Sequence, residues 1–330
     1  MSGYRLDAET ANAALSLATR APSIHNSQPW RWRVGPHSVH LFAERSLQLE
    51  HTDPDGRELL VSCGIALNHC AVALAALGWQ TKIHRLPNPE QPDHLASLEL
   101  HRSPAGEMDI SLASAIPRRR TDRRHFSAWP VPPGHVAMMG ARAARMGVTM
   151  RRIDPDDEFR ATLEWARRRH GEDAGYLSEL AAWSGRYGAV AGVPARNTPA
   201  PDPDAQVPAR VFAGTALSQP EDSTAAGDHG VMLALGTAAD DVVARLRAGE
   251  ATSQILLTAT SMGLASCILT EPLELAETRE QLRAKVFGGS HCPQVLLRIG
   301  WLPPNADALP ATPRRALADV ARRLDGEPLD

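Results

Sequence analysis

From Arg57 to Gly78 the chain reads RELLVSCGIALNHCAVALAALG, apolar on nearly every side of a helix. Such a helix has no face to offer water, so the fold must be built around it. Its most apolar part, Ile65 to Trp79, is short for a bilayer and carries Asn68 and His69. It therefore reads as a core helix and not as a membrane span. A second stretch, from Asp240 to Met262, echoes the first: Gly64-x-Ala66 precedes Gly78 by fourteen residues, and Gly249-x-Ala251 precedes Gly263 by the same spacing. Each helix follows a strand-like run (SVHLFA and VMLALG), and each is followed later by another (LASLELHR and QVLLRIGW). Chance could match two Ala-rich helices, but a shared order of flanking elements points to duplication. The expected halves are residues 1–105 and 106–330.

The remaining segments fit around these helices. DAETANAALSLATR reads as an opening helix with Asp7 as its cap, Ala8, Ala11, Leu15 and Ala18 near one face, and Pro22 as its stop. WRWRV and SVHLFA alternate as a hairpin around Gly35-Pro36, and QTKIHRL and LASLELHR flank a proline-rich turn. Past Gly106 come a short helix, a basic run at 118–124, a helix in VPPGHVAMMGARAARMG, a strand in VTMRRI and two helices near 155–169 and 173–184. Residues 192–229 are rich in Pro, Ala and Asp with little periodicity, so they read as a lid or mobile loop. QVLLRIGW reads as the last strand.

Composition excludes several classes. With 35 Lys+Arg against 38 Asp+Glu in 330 residues, the net charge of −3 argues against a general nucleic-acid binder. Cys63, Cys70, Cys267 and Cys292 form no C-x-x-C pair and read as reduced thiols of a cytoplasmic protein; the seven-residue step from Cys63 to Cys70 suits a packed helix face better than a metal pair. Thirteen histidines show no ligand spacing, so no metal site is expected. No secretory signal pattern opens the chain. Neither glycine-rich phosphate loop occurs, and GGSHC places Cys292 where a nucleophile elbow needs glycine.

Two polar clusters remain. RAPSIHNSQPW, Arg20 to Trp30, gathers Ser23, His25, Asn26, Ser27 and Gln28, more hydrogen-bonding side chains than an ordinary turn uses. It is either a self-braced turn or a ligand segment. RRRTDRRHF, Arg118 to Phe126, is either a solvated charge run or an anion site. Alternation would put Arg119, Thr121 and Arg123 on one side of an extended strand, where two guanidinium forks and a hydroxyl suit a phosphate. Arg314-Arg315, after Thr312-Pro313, is a basic tail or more of the same.

These two clusters resemble known motifs. APSIHNSQPW is similar to the flavin-contacting segment of the FMN-dependent nitroreductase superfamily, and RRRTDRRHF-x-x-x-PVP to its Arg-x-Ser/Thr-x-Arg segment. With ERSLQLEHTDPDGRELLVSCGIALNHCAVALAALGW, GEATSQILLTATSMGLAS and QVLLRIGW, the chain resembles the Acg-like group over residues 5–320. That group fuses two nitroreductase-like halves.

The resemblance implies an α+β fold of two tandem halves, mixed sheets flanked by helices, forming an intramolecular pseudo-dimer, either monomeric or a homodimer. The first half holds only the Ser/Asn/Gln segment and the second only the arginines, which implies one FMN per chain at their junction. Ser23 and Asn26 would serve the ring edge and N5, with Pro22, Ile24 and His25 beside them in the cofactor-binding segment and Gln28 and Trp30 bracing the turn. Arg119, Thr121, Arg314 and Arg315 would hold the phosphate, and Arg123 would stand beside the N1 side of the ring. Gly263 and Leu264, then Ile268 to Glu271, would bring backbone against the far face. The implied activity is NAD(P)H-dependent reduction of a small nitroaromatic or quinone-like acceptor, with hydride transfer needing no protein acid or base. The alternative is FMN storage beneath a lid formed by 192–229, and a weaker one is a redox-sensing scaffold. Neither nucleic acid nor membrane is an expected partner.

Overall fold

The computed structural model describes residues 5–185, 189–221 and 223–329. Elements α1 (Ala8–Ala18), β1 (Trp30–Val34), β2 (Ser38–Ala43), α2 (Arg57–Ala76), β3 (Trp79–Arg85) and β4 (His94–Arg102) come first. Then follow α3 (Glu107–Ala115), α4 (Pro133–Arg145), β5 (Thr149–Ile153), α5 (Asp157–Gly171), α6 (Ala174–Ala182), β6 (Val231–Thr237), α7 (Val242–Ser261) and β7 (Ala265–Leu269). The chain ends through α8 (Glu271–Glu274), α9 (Ala276–Phe287), β8 (Cys292–Gly300), α10 (Leu317–Val320) and β9 (Ala321–Arg323).

Two sheets form. The first has the order β3-β4-β2-β1-β9 and is mixed, because β9 joins β1 in parallel while the other pairs are antiparallel. The second, β5-β6-β8-β7, is antiparallel throughout. QVLLRIGW is therefore not the last strand: the tail returns to extend the first sheet at Trp32 to Val34. The short run ALADVARR carries too few alternations to announce this strand.

The central strands β6 and β8 of the second sheet are buried on both faces, which explains their unbroken apolar runs. Val231, Leu233 and Leu235 of β6 join the main core, while Met232 and Ala234 join a second cluster with Phe159, Leu273, Leu282 and Phe287 under α5, α8 and α9. The first sheet buries one face; Trp30 and Trp32 alternate with the more exposed Arg31 and Arg33.

Between the sheets, α2 packs on α7. Gly64 and Gly249 meet at the crossing. A Cβ on Gly64 would run into the Leu246 carbonyl oxygen and lie 3.0 Å from Gly249 Cα, and one on Gly249 would strike the Val61 carbonyl oxygen. The two glycines singled out by the repeat thus let two backbones touch. The main core runs unbroken from α1 through α2 and α7 to β8. Arg57–Ala76 is apolar and long enough to cross a membrane by composition, yet 83% of its most apolar window is buried in the protein. All four cysteines are free, Cys63 and Cys70 buried on α2, and no metal-ligand cluster occurs among the described residues.

Candidate functional site

Helix α1 ends at Ala18, before Pro22, and the carbonyls that follow it are held from the far end of the chain. Arg314 Nε donates to Thr19 O at 3.0 Å, and Nη2 to Arg20 O and Ala21 O at 3.0 and 3.1 Å. The polar segment then makes a tight left-handed turn: His25, Asn26 and Gln28 have φ of 43°, 55° and 54°. Such backbone is costly for residues other than glycine and persists only when braced. Ser23 Oγ accepts the Gln28 N–H at 2.9 Å, Ser62 Oγ accepts the Ile24 N–H at 3.1 Å, and Gln28 Oε1 accepts the Arg315 N–H at 2.8 Å. Asn26 Nδ2 donates to Gly192 O and Pro313 O at 3.1 and 3.2 Å.

Beside this turn lies a chamber of about 590 Å³, counting its open side, lined by Arg20, Arg119, Arg120, Arg123 and Arg314, with Thr121, Asn26 and Asn197 among the other wall residues and no carboxylate. None of the five guanidinium groups forms an ion pair among the described residues. Arg119 is 6% exposed; its Nε has no partner, and among the described residues its side chain makes one hydrogen bond, to Thr121 Oγ1 at 3.5 Å. Burial first, then Arg314, Arg120 and Arg20, pull its pKa down to about 9, and burial with Arg20 and Arg120 does the same to Arg314. Both remain charged at neutral pH. Asn26 Oδ1, Asn197 Oδ1 and His25 Nδ1 on the same walls are also buried without partners. Buried cations and polar atoms left unmatched by the protein mark a place for an anionic, hydrogen-bonding ligand.

Alternation sorts the run only from Thr121 onward, because Arg120 lines the chamber beside Arg119. Arg119, Thr121 and Arg123 face the chamber, whereas Asp122 and Arg124 turn away and bind one another, Nη2 to Oδ2 at 2.7 Å, both buried.

Ser23, His25, Thr121 and Arg123 also wall a second, more apolar chamber of about 1010 Å³, counting its open side. Val61, Ile65, Leu163, Val207, Phe212 and Ile268 supply apolar walls, and Cys267 to Pro272 run along one side. Part of the 192–229 segment is itself a wall: residues 207–210 and Phe212 lie across this chamber. Asp222, in the same segment, lies outside the described residues. Arg210 anchors it. Nη1 donates to His25 Nε2 at 2.7 Å and Tyr176 Oη at 3.0 Å, and Nη2 pairs with Glu274. Arginine only donates, so His25 Nε2 is the bare nitrogen and Nδ1 carries the proton. Burial, Arg210 and Arg123 hold the His25 pKa well below its usual value. Phe212 stands edge-on to His25 at 6.0 Å and beneath Arg123 at 4.8 Å.

Pro22, Ser23, Ile24, His25, Asn26, Arg119, Thr121, Arg123 and Arg314 are thus brought together around two joined chambers. Gln28 and Arg315 are not wall residues: Gln28 is buried and braces the turn, and the Arg315 guanidinium folds back to Gln28 O at 3.4 Å. Gly263 and Leu264 also fall outside both chambers. Gly263 ends α7 with φ of 83°, and Leu264 is buried in the main core; the wall begins three residues later, at Cys267. Arg20, Asn197, Arg210, Phe212 and Glu58 went unnoticed in the sequence. Arg20 adjoins a recognised motif, but nothing local marks the other four.

No family model matches the chain. Two proteins of Mycobacterium tuberculosis match it nearly end to end. The one named "Putative NAD(P)H nitroreductase Rv3131" is 58% identical over 97% of this chain and 93% of its own. The one named "Putative NAD(P)H nitroreductase acg" is 36% identical over 94% and 95%. The chain belongs to the Acg-like group of nitroreductases. Among solved structures, a Bacteroides fragilis nitroreductase with bound FMN aligns over 59% of this chain and 90% of its own, at 13% identity and a TM-score of 0.39.

Proposed function

We propose that the chain is an FMN-dependent oxidoreductase that takes electrons from NAD(P)H and passes them to a small quinone-like or nitroaromatic acceptor. The observation that carries this reading is the carboxylate-free chamber of five guanidinium groups opening into an apolar one. A phosphate dianion answers the first, where Arg119, Arg120, Arg20, Arg314 and Thr121 would hold it. A flat heteroaromatic ring answers the second, between the α2 side chains Val61 and Ile65 and the strand Cys267–Leu269. Asn26 Oδ1 and His25 Nδ1–H are an acceptor and a donor still unused, suited to the polar linker and ring edge. When bound, FMN accepts a hydride from NAD(P)H and yields it to the acceptor. Arg123, without a carboxylate partner, would place a fixed positive charge beside the ring and favour its reduction. The relatives named for NAD(P)H nitroreductase activity support the choice of electron donor.

One observation favours a second reading, FMN storage. Arg210 and Phe212 lie where nicotinamide and acceptor would have to approach, tied to His25, Tyr176 and Glu274. An enzyme must release this strap in each cycle; a storage protein keeps it shut. Anaerobic stopped-flow mixing of the FMN-loaded chain with NADPH separates the two. Bleaching within seconds supports turnover, and tight flavin that resists NADPH supports storage. A chain that takes up no FMN ends both readings.

A further inference from the structure

Glu58 sits in the second turn-forming position of α2, its backbone N–H held at 3.0 Å by the Asp53 carboxylate that caps the helix. It is 5% exposed, yet no hydrogen bond or ion pair engages its carboxyl among the described residues. Both cations nearby are committed elsewhere, Arg57 to Asp240 and Arg210 to Glu274. The side chain lines the apolar chamber on one side. On the other it lines a separate small cavity of about 190 Å³ whose walls include Thr52, Asp53, Asp55, Arg57 and Glu274. Asp55, one of its walls, has a side chain 61% exposed to solvent, and the cavity is polar with room for about one water.

We propose that Glu58 is the proton donor to the acceptor, standing in the wall between the ring chamber and a water-accessible cavity that recharges it. The inference rests on the oxidoreductase reading above. A quinone that has received a hydride holds two new electrons and one proton, and is one proton short of the hydroquinone. The Glu58 O–H bond breaks, its proton passes to the acceptor oxygen, and the bonding pair stays on the carboxylate. A solvent proton arriving through the small cavity restores the acid. A carboxyl must be protonated at rest to do this, and the surroundings favour it. Burial first, then Asp53 from the preceding loop and Glu274 from α8, hold the Glu58 pKa well above the usual carboxylate range. Arg57 on α2 and Arg210 on the 192–229 segment oppose them only in part. The acidic neighbour Asp53 is itself raised to about 6, chiefly by burial.

The test uses the full chain loaded with FMN, reduced anaerobically with dithionite and mixed with menadione. Glu58→Gln should slow flavin reoxidation about 100-fold at neutral pH, the usual worth of a positioned proton donor. Glu58→Asp should recover part of it. The wild-type rate should fall as pH rises through the Glu58 pKa, and the Gln variant should be flat there. A readout independent of turnover is the infrared carbonyl band of a protonated carboxylic acid in the flavin-free chain at neutral pH, lost in Glu58→Gln. Absence of that band, or equal reoxidation rates and pH profiles in a chain that binds and cycles FMN, overturns the inference alone. A wild-type chain that binds no FMN, or whose reduced flavin menadione does not reoxidise, overturns the oxidoreductase reading and this inference with it.

Discussion

At the scale of single residues, the buried arginines divide by whether the protein answers their charge. Arg124 lies against Asp122, and each is about 3% exposed at its side chain. Arg119, also buried, has no anionic partner among the described residues. Removing one member of a buried pair strands the other, so Arg124→Ala should cost about 3–5 kcal/mol of stability. Arg119→Ala removes a cation that the flavin-free protein hosts at a loss. Its unfolding midpoint without ligand should hold or rise, while FMN affinity falls by about 1.5–3 kcal/mol if charged hydrogen bonds to the phosphate are lost. Calorimetry of the flavin-free variants and fluorescence titration with FMN measure the two effects. Equal destabilisation by both substitutions would show that Arg119 is a structural residue. This division was half legible beforehand. Parity along an extended strand separates 121 and 123 from 122 and 124, because side chains alternate, but it fails at Arg120, which lines the chamber beside Arg119. Arg210 and Glu58 were not legible, since their roles depend on partners far away in the chain, His25 and Glu274 for one and two cavities for the other.

At the scale of elements, the crossing of α2 and α7 decides how closely the sheets approach. Alanine in place of glycine inside a helix ordinarily stabilises by about 0.5–1 kcal/mol. At Gly64 the sign should reverse, with a loss of about 3 kcal/mol or failure to fold, because the methyl meets backbone that cannot step aside. Gly140→Ala on α4 is the control; its methyl meets only the mobile Met150 Cε at 3.1 Å and should leave stability level or improved. Denaturant unfolding of the two variants reads the contrast. The same crossing buries His69. Ser253 Oγ donates to Asn68 Oδ1 at 2.8 Å, so His69 Nδ1–H donates to Ser253 at 2.8 Å and Nε2 stays bare. Burial above all holds the His69 pKa down to about 3. The unfolded chain takes up a proton below about pH 6.5 that the folded chain refuses. Stability from this group is therefore complete above that pH and is lost on acidification toward 3, at about 1.4 kcal/mol per unit. Unfolding free energies measured from pH 7 to pH 5 should fall, and His69→Gln should flatten the slope; an unchanged slope would refute the assignment. The helices, the hairpin and the glycine pattern were readable from period and turn chemistry. Strand β9 was not, because three residues owe their extended form to the β1 edge they join and not to their own preference.

At the scale of the whole molecule, the candidate site draws wall residues from 20–26, 58–65, 119–123, 193–197, 207–212, 267–272 and 312–314, both ends and the middle of the sequence. Arg314 fastens the tail to the end of α1, Arg315 N–H fastens it to Gln28, and β9 closes the first sheet. The main core passes through both proposed halves without a break. Neither half on its own can then present the site, and partial unfolding of either removes it. Two consequences follow for a ligand that binds only the folded state. Unfolding should be a single cooperative transition, with and without FMN, although a chain of 330 residues has length enough for two domains. FMN at about 100 times its dissociation constant should raise the stability of that whole transition by about 2.7 kcal/mol, in the amount mass action requires. Differential scanning calorimetry across a series of FMN concentrations measures both. Two resolved transitions, only one of which FMN moves, would mean that the site belongs to one half, and the pseudo-dimer would have to be redrawn as a flavin domain with an appended partner.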